Sequence, residues 1–382
     1  MKNLKLLQYL IILVSSLLLT NCTNDYIAIP GADGKDGIDG VDGIDGADTS
    51  AEACISCHSN SHRDPIYAAY NTSFHSKGLT EGAVNYAGAR ASCARCHSNE
   101  GFTDFMDYGF VNPTGYYGLS EPELVINDNG TPDDTSDDYP EVDEYGVPIY
   151  SNNPVPVVNP ITCVTCHDTH KSFDFENDGQ DYALRGLDPV TLITDGTVID
   201  YGNRSNTCIN CHQPRRTGPT DDGSGTFRVT STHWGPHHGP QATLLEGIQG
   251  ALIAGSEGYP GVGSAKHRTD TSCVNCHMGE TESQDPAGHS FIPTETNCTS
   301  CHDSGILTQG VSGLAADMAT LKGLLENVGI VHDDHPVKGT YSVLEAQAAW
   351  NYLFILEDAS KGVHNPEYAK ALIKNSIEAL QP

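Results

Sequence analysis

The sequence is poor in basic residues and in the alternating apolar pattern that marks β-strands. Lys and Arg together number 20 against 50 Asp and Glu, which gives a formal net charge of −30. Nucleic-acid phosphates and anionic lipid headgroups repel a chain of this sign, so neither is an expected partner. Hydrophobic residues make up only 38% of the chain. Such a composition supplies only a modest apolar core. We therefore expect little β-sheet, and we expect that groups other than amino-acid side chains fill part of the core.

Cysteine and histidine, by contrast, are abundant and regularly arranged. Twelve of the 13 cysteines belong to six Cys-x-x-Cys-His motifs. In chain order, the first to sixth motifs are Cys54-Cys57-His58, Cys93-Cys96-His97, Cys163-Cys166-His167, Cys208-Cys211-His212, Cys273-Cys276-His277 and Cys298-Cys301-His302. A zinc ribbon would not require the histidine, and a thioredoxin-like dithiol site would occur once, beside a βαβ pattern. The repetition therefore favours covalently attached c-type haem.

The spacing within each motif has a physical reason. Positions i, i+3 and i+4 lie on one face of a helical turn. Both thiols can then bond to the two vinyl groups of one porphyrin, while the adjacent histidine ligates the iron. The sequence thus predicts six haem c groups, each with its motif histidine as the proximal ligand.

The first 22 residues have the pattern of an export signal. Two lysines precede an apolar stretch from Leu6 to Leu19, which is short for a membrane span. The unpaired Cys22 stands where a bacterial lipoprotein carries its lipidated cysteine, although Asn21 replaces the usual small residue. We predict a lipoprotein-type signal ending at Cys22, with lipidation there; the alternative is a plain secreted protein with one spare thiol.

The rest of the chain divides into three segments. Residues 23–50 include six Gly-Asp triplets without proline, a collagen-like period that is too short and too acidic for a stable triple helix. We predict an extended, self-repelling tether there. Residues 51–310 carry all the motifs, at intervals too uneven for a solenoid, and form the predicted hexahaem region. Residues 311–382 are a predicted helical segment that packs on it.

Capping residues mark the helices of this last segment. Ser342 and Glu345 form a capping box, and Asn365 followed by Pro366 is typical of a helix start. A further helix is expected near residues 313–327. The predicted fold class is mainly α with extensive coil, a multihaem cytochrome c fold whose core is the haem stack.

Two acid-rich loops offer oxygen ligands at short spacing, as calcium loops do. They cover residues 127–138 and 174–181, and neither matches an EF-hand pattern. We predict solvated loops, with calcium as the less favoured alternative.

The second ligand of each iron decides whether a haem can bind a substrate. A second histidine closes the iron, whereas an empty or water-bound face permits chemistry. Eleven of the 17 histidines lie outside the motifs, which exceeds the six required. They are His62, His75, His170, His233, His237, His238, His267, His289, His332, His335 and His364. Within the cluster around residue 235, His237 and His238 precede a predicted helix and are favoured, with the choice between them open.

Several short segments resemble the multihaem c-type cytochromes that include the cytochrome c nitrite reductases and the octahaem hydroxylamine-oxidoreductase-like proteins. The segments are "YAAYNTSFHSKG", "CHDTH", "GSAKHRTDTSCVNCHM", "AGHSF" and "EDASKGVHNPEYAKALI". The resemblance implies one distal iron ligand in each segment, namely His75, His170, His267, His289 and His364. The Gly-Asp segment after Cys22 is similar to that of outer-surface multihaem cytochromes.

The chain departs from the enzymes of that group in one respect. Nitrite reductases typically carry a Cys-x-x-Cys-Lys motif, whereas all six motifs here end in histidine. The leading hypothesis is an exported electron carrier with a row of bis-histidine haems, acting in respiratory or extracellular electron transfer. Expected partners are other cytochromes, redox proteins and extracellular electron acceptors. The expected location is the outer membrane or cell surface through a lipid anchor, or otherwise the periplasm.

Two alternatives stay open. One is a multihaem reductase or oxidase of small nitrogen or sulfur compounds, which needs a haem without a distal histidine. The other is a subunit of a cytochrome filament, in which His62, His332 or His335 would ligate an iron of the next subunit.

Overall fold

Short helices and loops make up most of the computed structural model, which describes residues 51–76, 87, 90–109, 125–127, 139–141, 159–170, 182–279 and 288–381. Strands in these ranges pair only as two-stranded antiparallel ladders. The prediction of a mainly helical fold with little β-sheet is confirmed.

The helices are α1 (Ala51–His58), α2 (Asn60–Tyr70), α3 (Ala91–His97), α4 (Asn99–Tyr108), α5 (Cys163–Cys166), α6 (Asn206–Ile209), α7 (Gln241–Glu246), α8 (Ser272–His277), α9 (Glu295–Cys298), α10 (Ile306–Gln309), α11 (Leu314–Val328), α12 (Val343–Asp358) and α13 (Pro366–Leu380). A π-helical turn, His267–Thr271, leads directly into α8. The strands are β1 (Ile126–Asn127), β2 (Tyr139–Pro140), β3 (Val190–Thr191), β4 (Val198–Ile199), β5 (Thr226–Val229), β6 (Val331–His332), β7 (His335–Pro336) and β8 (Gly339–Ser342). The pairs are β1–β2, β3–β4, β5–β8 and β6–β7.

The first cysteine of every Cys-x-x-Cys-His motif lies in a short helix. In the third, fourth and sixth motifs, the histidine N–H donates a 2.9 Å hydrogen bond to the carbonyl of the first cysteine. This is the i to i−4 bond of one helical turn, and it places the two thiols and the imidazole on the same face.

The capping predictions for the C-terminal helices are confirmed. At the start of α12, the Ser342 N–H donates to the Glu345 carboxylate at 2.8 Å, and the Glu345 N–H donates to Ser342 Oγ at 3.2 Å. Asn365 caps α13 by accepting from the Tyr368 N–H at 3.2 Å, with Pro366 in the first position. The third predicted helix is α11.

The largest hydrophobic core lies among α11, α12 and α13. Trp350, Phe354 and Leu372 are fully buried in it. Residues from the 229–253 stretch, including Trp234, also join this core, and β5 pairs with β8 beside it. The apolar core is therefore larger than the composition indicated, because apolar residues concentrate in this part of the chain.

A second, smaller hydrophobic cluster packs against the helix of the fourth motif. Val190, Leu192 and Ile199 of the β3–β4 hairpin pack with Ile209, which is fully buried at the end of α6. Ile209 directly follows the first cysteine of that motif, so the cluster fixes the backbone that carries its thiols and imidazole.

The serine cap of α12 is open to a direct stability test. Replacing Ser342 with alanine removes the acceptor for the Glu345 N–H, and we expect a loss of about 1 kcal/mol in the free energy of unfolding. Urea unfolding followed by far-UV circular dichroism measures this. Glu345→Gln is the matched control and should cost little, because glutamine also completes a capping box. Equal losses in the two variants would contradict the capping role.

Some predictions concern parts of the chain outside the described residues. These are the export signal, the lipidation of Cys22, the Gly-Asp tether and most of the two acidic loops. In the part that is described, no helix is both long enough and apolar enough to span a bilayer.

Candidate functional site

Every motif histidine lies beside one histidine from outside the motifs. The distances between the centroids of the two imidazole rings are 6.0 Å for His58–His170, 6.0 Å for His97–His237, 6.4 Å for His167–His289, 6.1 Å for His212–His75, 6.3 Å for His277–His364 and 6.0 Å for His302–His267. The members of each pair are at least 35 residues apart in the sequence (302 − 267 = 35). Tertiary structure alone therefore brings them together.

The narrow spread of these distances fits one metal ion between each pair of rings. Bonds of about 2.0–2.1 Å from a metal to two trans imidazoles, with each ring centroid roughly 1.1 Å behind its nitrogen, separate the centroids by about 6.3 Å. Since each pair includes the histidine of a Cys-x-x-Cys-His motif, the donor set is two imidazoles and two nearby thiols. This is the set that a covalently attached, six-coordinate haem requires.

Hydrogen bonds fix which nitrogen of several imidazoles faces a metal. A backbone carbonyl can only accept, so a ring nitrogen that contacts one must carry the proton. Such contacts join Nδ1 of His167 to the Tyr182 carbonyl at 2.6 Å, Nδ1 of His267 to the Val363 carbonyl at 2.6 Å, and Nδ1 of His277 to the Phe291 carbonyl at 2.9 Å. The Nε2 lone pair of each ring is then available to a metal, as in most histidine metal sites.

His364 differs from these three in the charge of its acceptor. Its Nδ1 lies 2.5 Å from Oδ1 of Asp358, whose side chain is 0% exposed. Burial by itself would lower the pKa of His364, but the charge of Asp358 and this hydrogen bond raise it above its ordinary value. The ring is therefore held by an anionic partner.

Burial keeps other imidazoles of the pairs neutral. It is the main cause that lowers the pKa of His75 to about 4 and the pKa of His237 to about 3. Neighbouring imidazoles add to the effect at both positions, as does the Arg215 guanidinium at His237. A neutral imidazole is the form that ligates a metal.

The structure separates the two adjacent histidines between which the sequence left the choice open. His237 faces His97, whereas His238 turns away and pairs with Glu357 through Nδ1, with 75% of its side chain exposed. Both residues have positive φ, 67° and 53°, a conformation that histidine adopts more readily than most residues. The two ring centroids lie 5.3 Å apart, and of the two only the His237 ring lies opposite a motif imidazole.

Four other histidines outside the motifs are not placed opposite a motif imidazole in the described ranges: His62, His233, His332 and His335. His332 and His335 face each other across the β6–β7 hairpin, and the His332 ring lies 3.5 Å from a carboxylate oxygen of Asp333. These residues stay outside the candidate site.

Two partly buried arginines supply a further test of whether the residues fit the cofactor. The Nε atoms of Arg95 and Arg215 are buried and have no hydrogen-bond partner among the described residues, whereas the Nη2 of Arg95 donates to Asn210 Oδ1 at 3.3 Å. The Arg95 guanidinium also stacks 3.5 Å from the centroid of the Phe105 ring. Buried guanidinium groups normally meet a carboxylate or another acceptor. Haem carries two carboxylates, so the residues present fit this group.

The motifs contact one another through their thiol-bearing turns, and the fourth motif is central. Cys96 Sγ lies 3.8 Å from the Asn210 carbonyl, and Cys211 Sγ lies 3.7 Å from the Arg95 carbonyl, which joins the second and fourth motifs reciprocally.

The fourth motif also meets the fifth and the third. Ser205 Oγ lies 2.9 Å from Ser272 Oγ and accepts from the Val274 N–H at 3.1 Å, which brings the fourth and fifth motifs together. Arg185 joins the third motif to the fourth, because its N–H donates to the Cys166 carbonyl at 2.8 Å and its carbonyl accepts from Thr207 Oγ1 at 2.7 Å. Three motifs therefore converge on the fourth.

The remaining motifs lie on the outer side of this centre. His170, which faces His58 of the first motif, follows the third-motif histidine by three residues. At the other end, α8 of the fifth motif contacts α9 of the sixth, so these two motifs are adjacent.

Phe291 lies at a junction between three of the histidine pairs. Its ring contacts His75 at a centroid distance of 4.6 Å and His289 at 6.2 Å, while its carbonyl accepts from His277. The preceding Gly288 has φ 63°, and a Cβ there would lie 2.4 Å from the Cα of Met278, so only glycine permits this close approach.

Sequence reasoning did not find Asp358, Phe291, Arg95 or Arg215. Arg95 lies within the second motif, and Phe291 and Asp358 lie within segments that carry the resemblance, but no pattern marks these positions as functional. The only available signal was an acidic residue six positions before His364 at the end of a predicted helix, which is too common a pattern to use.

Comparison with known proteins gives limited information. No family model matches the chain, and no curated protein matches it. Among solved structures, the crystal structure of outer cell wall cytochrome OcwA is similar, with a TM-score of 0.44 and 18% sequence identity over 83% of this chain and 50% of that chain. This chain thus corresponds to about half the length of that protein, and the likeness identifies no ligand or partner. The resemblance to the nitrite reductase and hydroxylamine-oxidoreductase-like group stays a prediction.

Proposed function

We propose that this protein is an exported hexahaem c-type cytochrome that carries electrons among bis-histidine haems. The observation that supports the proposal most strongly is the pairing of all six motif histidines with six separate non-motif histidines at ring distances of 6.0–6.4 Å. Haem supplies a one-electron iron couple when bound, and the chain supplies the thiols, both axial ligands and the spacing between sites.

Electron transfer, rather than substrate conversion, follows from the axial ligands. An iron with two imidazoles has no open position for a substrate. In this proposal His58, His97, His167, His212, His277 and His302 are proximal ligands, and His170, His237, His289, His75, His364 and His267 are the respective distal ligands. A reductase or oxidase would need one of these distal histidines to leave its iron.

The proposed path is branched, which refines the idea of a single row. The haem at the fourth motif would adjoin those at the second, third and fifth motifs, as the contacts between motifs indicate. The first haem would lie beyond the third, and the sixth beyond the fifth. Such a network has three ends, at the first, second and sixth motifs, and each is a candidate point for exchange with a redox partner.

Export and surface attachment complete the proposal. Haem c is attached outside the cytoplasm, and the first 22 residues have the composition of an export signal ending in a cysteine. We propose a lipid anchor at Cys22 and partners that are other cytochromes, redox proteins or extracellular acceptors. The net charge of −30 favours a partner with a positive contact surface.

Mass and spectroscopy of the mature, exported protein test the proposed function together. Intact-mass analysis should give six attached haems, and the ferric protein should show only low-spin signals and no spectral change with cyanide or nitrite. Fewer than six haems would refute the count. A high-spin component that binds nitrite would contradict the electron-carrier proposal and favour an enzyme with one open haem.

The two adjacent histidines provide a matched pair of variants. His237→Ala should convert one of the six haems to a high-spin form that binds cyanide, because His237 is the residue that faces His97. His238→Ala should leave all six low-spin, because its imidazole contacts Glu357 instead. Electron paramagnetic resonance of the ferric proteins distinguishes the two outcomes. The reverse result would assign the distal position to His238.

A further inference from the structure

The carboxylate of Asp358 occupies an electrostatically unfavourable position. It lies at the last position of α12, where the helix dipole disfavours negative charge, and its side chain is 0% exposed. A buried carboxylate needs hydrogen-bond donors to offset its lost hydration. Two come from Ser360, through its N–H at 3.1 Å and its hydroxyl, and the third is Nδ1 of His364.

The contacts around Asp358 hold its carboxylate in a fixed position relative to His364. The Ser360 hydroxyl donates to Oδ2 of Asp358, and its own oxygen, Ser360 Oγ, accepts from the His364 N–H at 3.2 Å. Oδ1 is thereby directed at the imidazole, at 2.5 Å. Ala359 and Lys361 adopt positive φ, 61° and 55°, in the tight turn that makes this arrangement.

Other imidazoles of the site have neutral acceptors. His167, His267 and His277 donate to the backbone carbonyls of Tyr182, Val363 and Phe291, respectively. The Nδ1 of His212 lies 3.1 Å from the side-chain oxygen of Gln241. A carboxylate acceptor polarises an imidazole more strongly than a carbonyl does and makes its other nitrogen a stronger donor to a metal. A stronger anionic donor stabilises ferric iron relative to ferrous iron.

We propose that Asp358 is a positioning residue that lowers the reduction potential of the haem at the fifth motif by acting through His364. The inference rests on the proposed function, since His364 must ligate that iron opposite His277. In the redox step, one electron from an adjacent haem or an added reductant converts ferric to ferrous iron. No bond breaks, and the proton stays between Nδ1 of His364 and Oδ1 of Asp358.

The position of this haem gives the effect a consequence for the whole protein. The fifth motif lies between the fourth and the sixth. Ser205, just before the fourth motif, contacts Ser272 of α8, and α8 contacts α9 of the sixth motif. Electrons that move between the centre of the network and its end at the sixth motif must cross it. A lowered potential there makes electron entry onto the fifth haem less favourable than it would be with a neutral side chain at position 358, which restrains flow along this arm.

The test uses the exported, haem-loaded protein and compares Asp358→Asn with Asp333→Asn. The first variant keeps the shape but replaces the anionic acceptor with a neutral amide. We expect one of the six reduction potentials to rise by about 59 mV, which corresponds to a tenfold shift of the one-electron equilibrium toward ferrous iron. One low-spin signal should shift with it. Asp333 is 84% exposed beside His332, so its variant removes the same charge without these effects.

A second variant distinguishes the proposed electrostatic effect from simple structural damage. Ser360→Ala removes one donor from the Asp358 carboxylate, which then interacts more strongly with His364, so the same potential should fall. Opposite shifts in the two variants support the proposal, whereas shifts in the same direction, or six unchanged potentials with six haems attached, overturn it. If Asp358→Asn does not retain the fifth haem, an unchanged Ser360→Ala protein still overturns it. A wild-type protein without bis-histidine haems would instead refute the proposed function.

Discussion

His75→Met is expected to raise one of the six reduction potentials by more than about 59 mV, a greater than tenfold change in the one-electron equilibrium. His75 faces His212 of the fourth motif at a ring distance of 6.1 Å, and its ring also packs on Phe291. A thioether is a neutral, weak donor that favours ferrous iron, so exchanging imidazole for methionine raises the potential. Methionine is also flexible enough to fill the space of the lost ring.

This substitution should also slow electron transfer through the whole protein, in addition to its effect on the potential of one haem. Since the fourth motif contacts the second, third and fifth, electrons that cross between arms would have to leave a haem that now retains them. Stopped-flow reduction should change from a single fast phase to a fast and a slow phase. His62→Met, on α2, is the control and should alter neither quantity. An unchanged potential in His75→Met would remove His75 from the ligand set.

Trp350→Ala is expected to lower the free energy of unfolding by about 3–5 kcal/mol, the usual cost of truncating a large, fully buried aromatic side chain. Trp350 is 0% exposed, packs against Trp234 and Phe354, and donates from Nε1 to the Gln249 carbonyl at 2.9 Å. The substitution leaves a cavity and also deprives that carbonyl of its donor, and both effects destabilise the fold.

Urea unfolding followed by far-UV circular dichroism measures the loss. Leu344→Ala on the same helix is the matched control, because the Leu344 side chain is 39% exposed and should cost much less. A loss below about 1 kcal/mol in Trp350→Ala would mean that the haems, rather than this apolar core, hold the C-terminal helices together.

Local signals in the sequence were sufficient for the helices that pack without help from a cofactor. Ser342 with Glu345, and Asn365 with Pro366, predicted the starts of α12 and α13 because a capping motif contains all its partners within four residues. The size of the C-terminal core was not predicted. Trp234 and Val229 join it from the haem region, and their distance in sequence conceals this contribution.

The sequence by itself determined the proposed attachment and first ligand of each haem, because a Cys-x-x-Cys-His motif holds both thiols and one imidazole within a single helical turn. Only the tertiary structure decided which histidine faces each motif, since the partners are separated by at least 35 residues (302 − 267). It also distinguished His237 from His238, since of these neighbours only His237 lies opposite a motif imidazole. The convergence of motifs on the fourth likewise arises from packing between distant segments. The Asp358 contact spans only six residues, but it depends on the tight turn after α12, for which a linear pattern carries no signal.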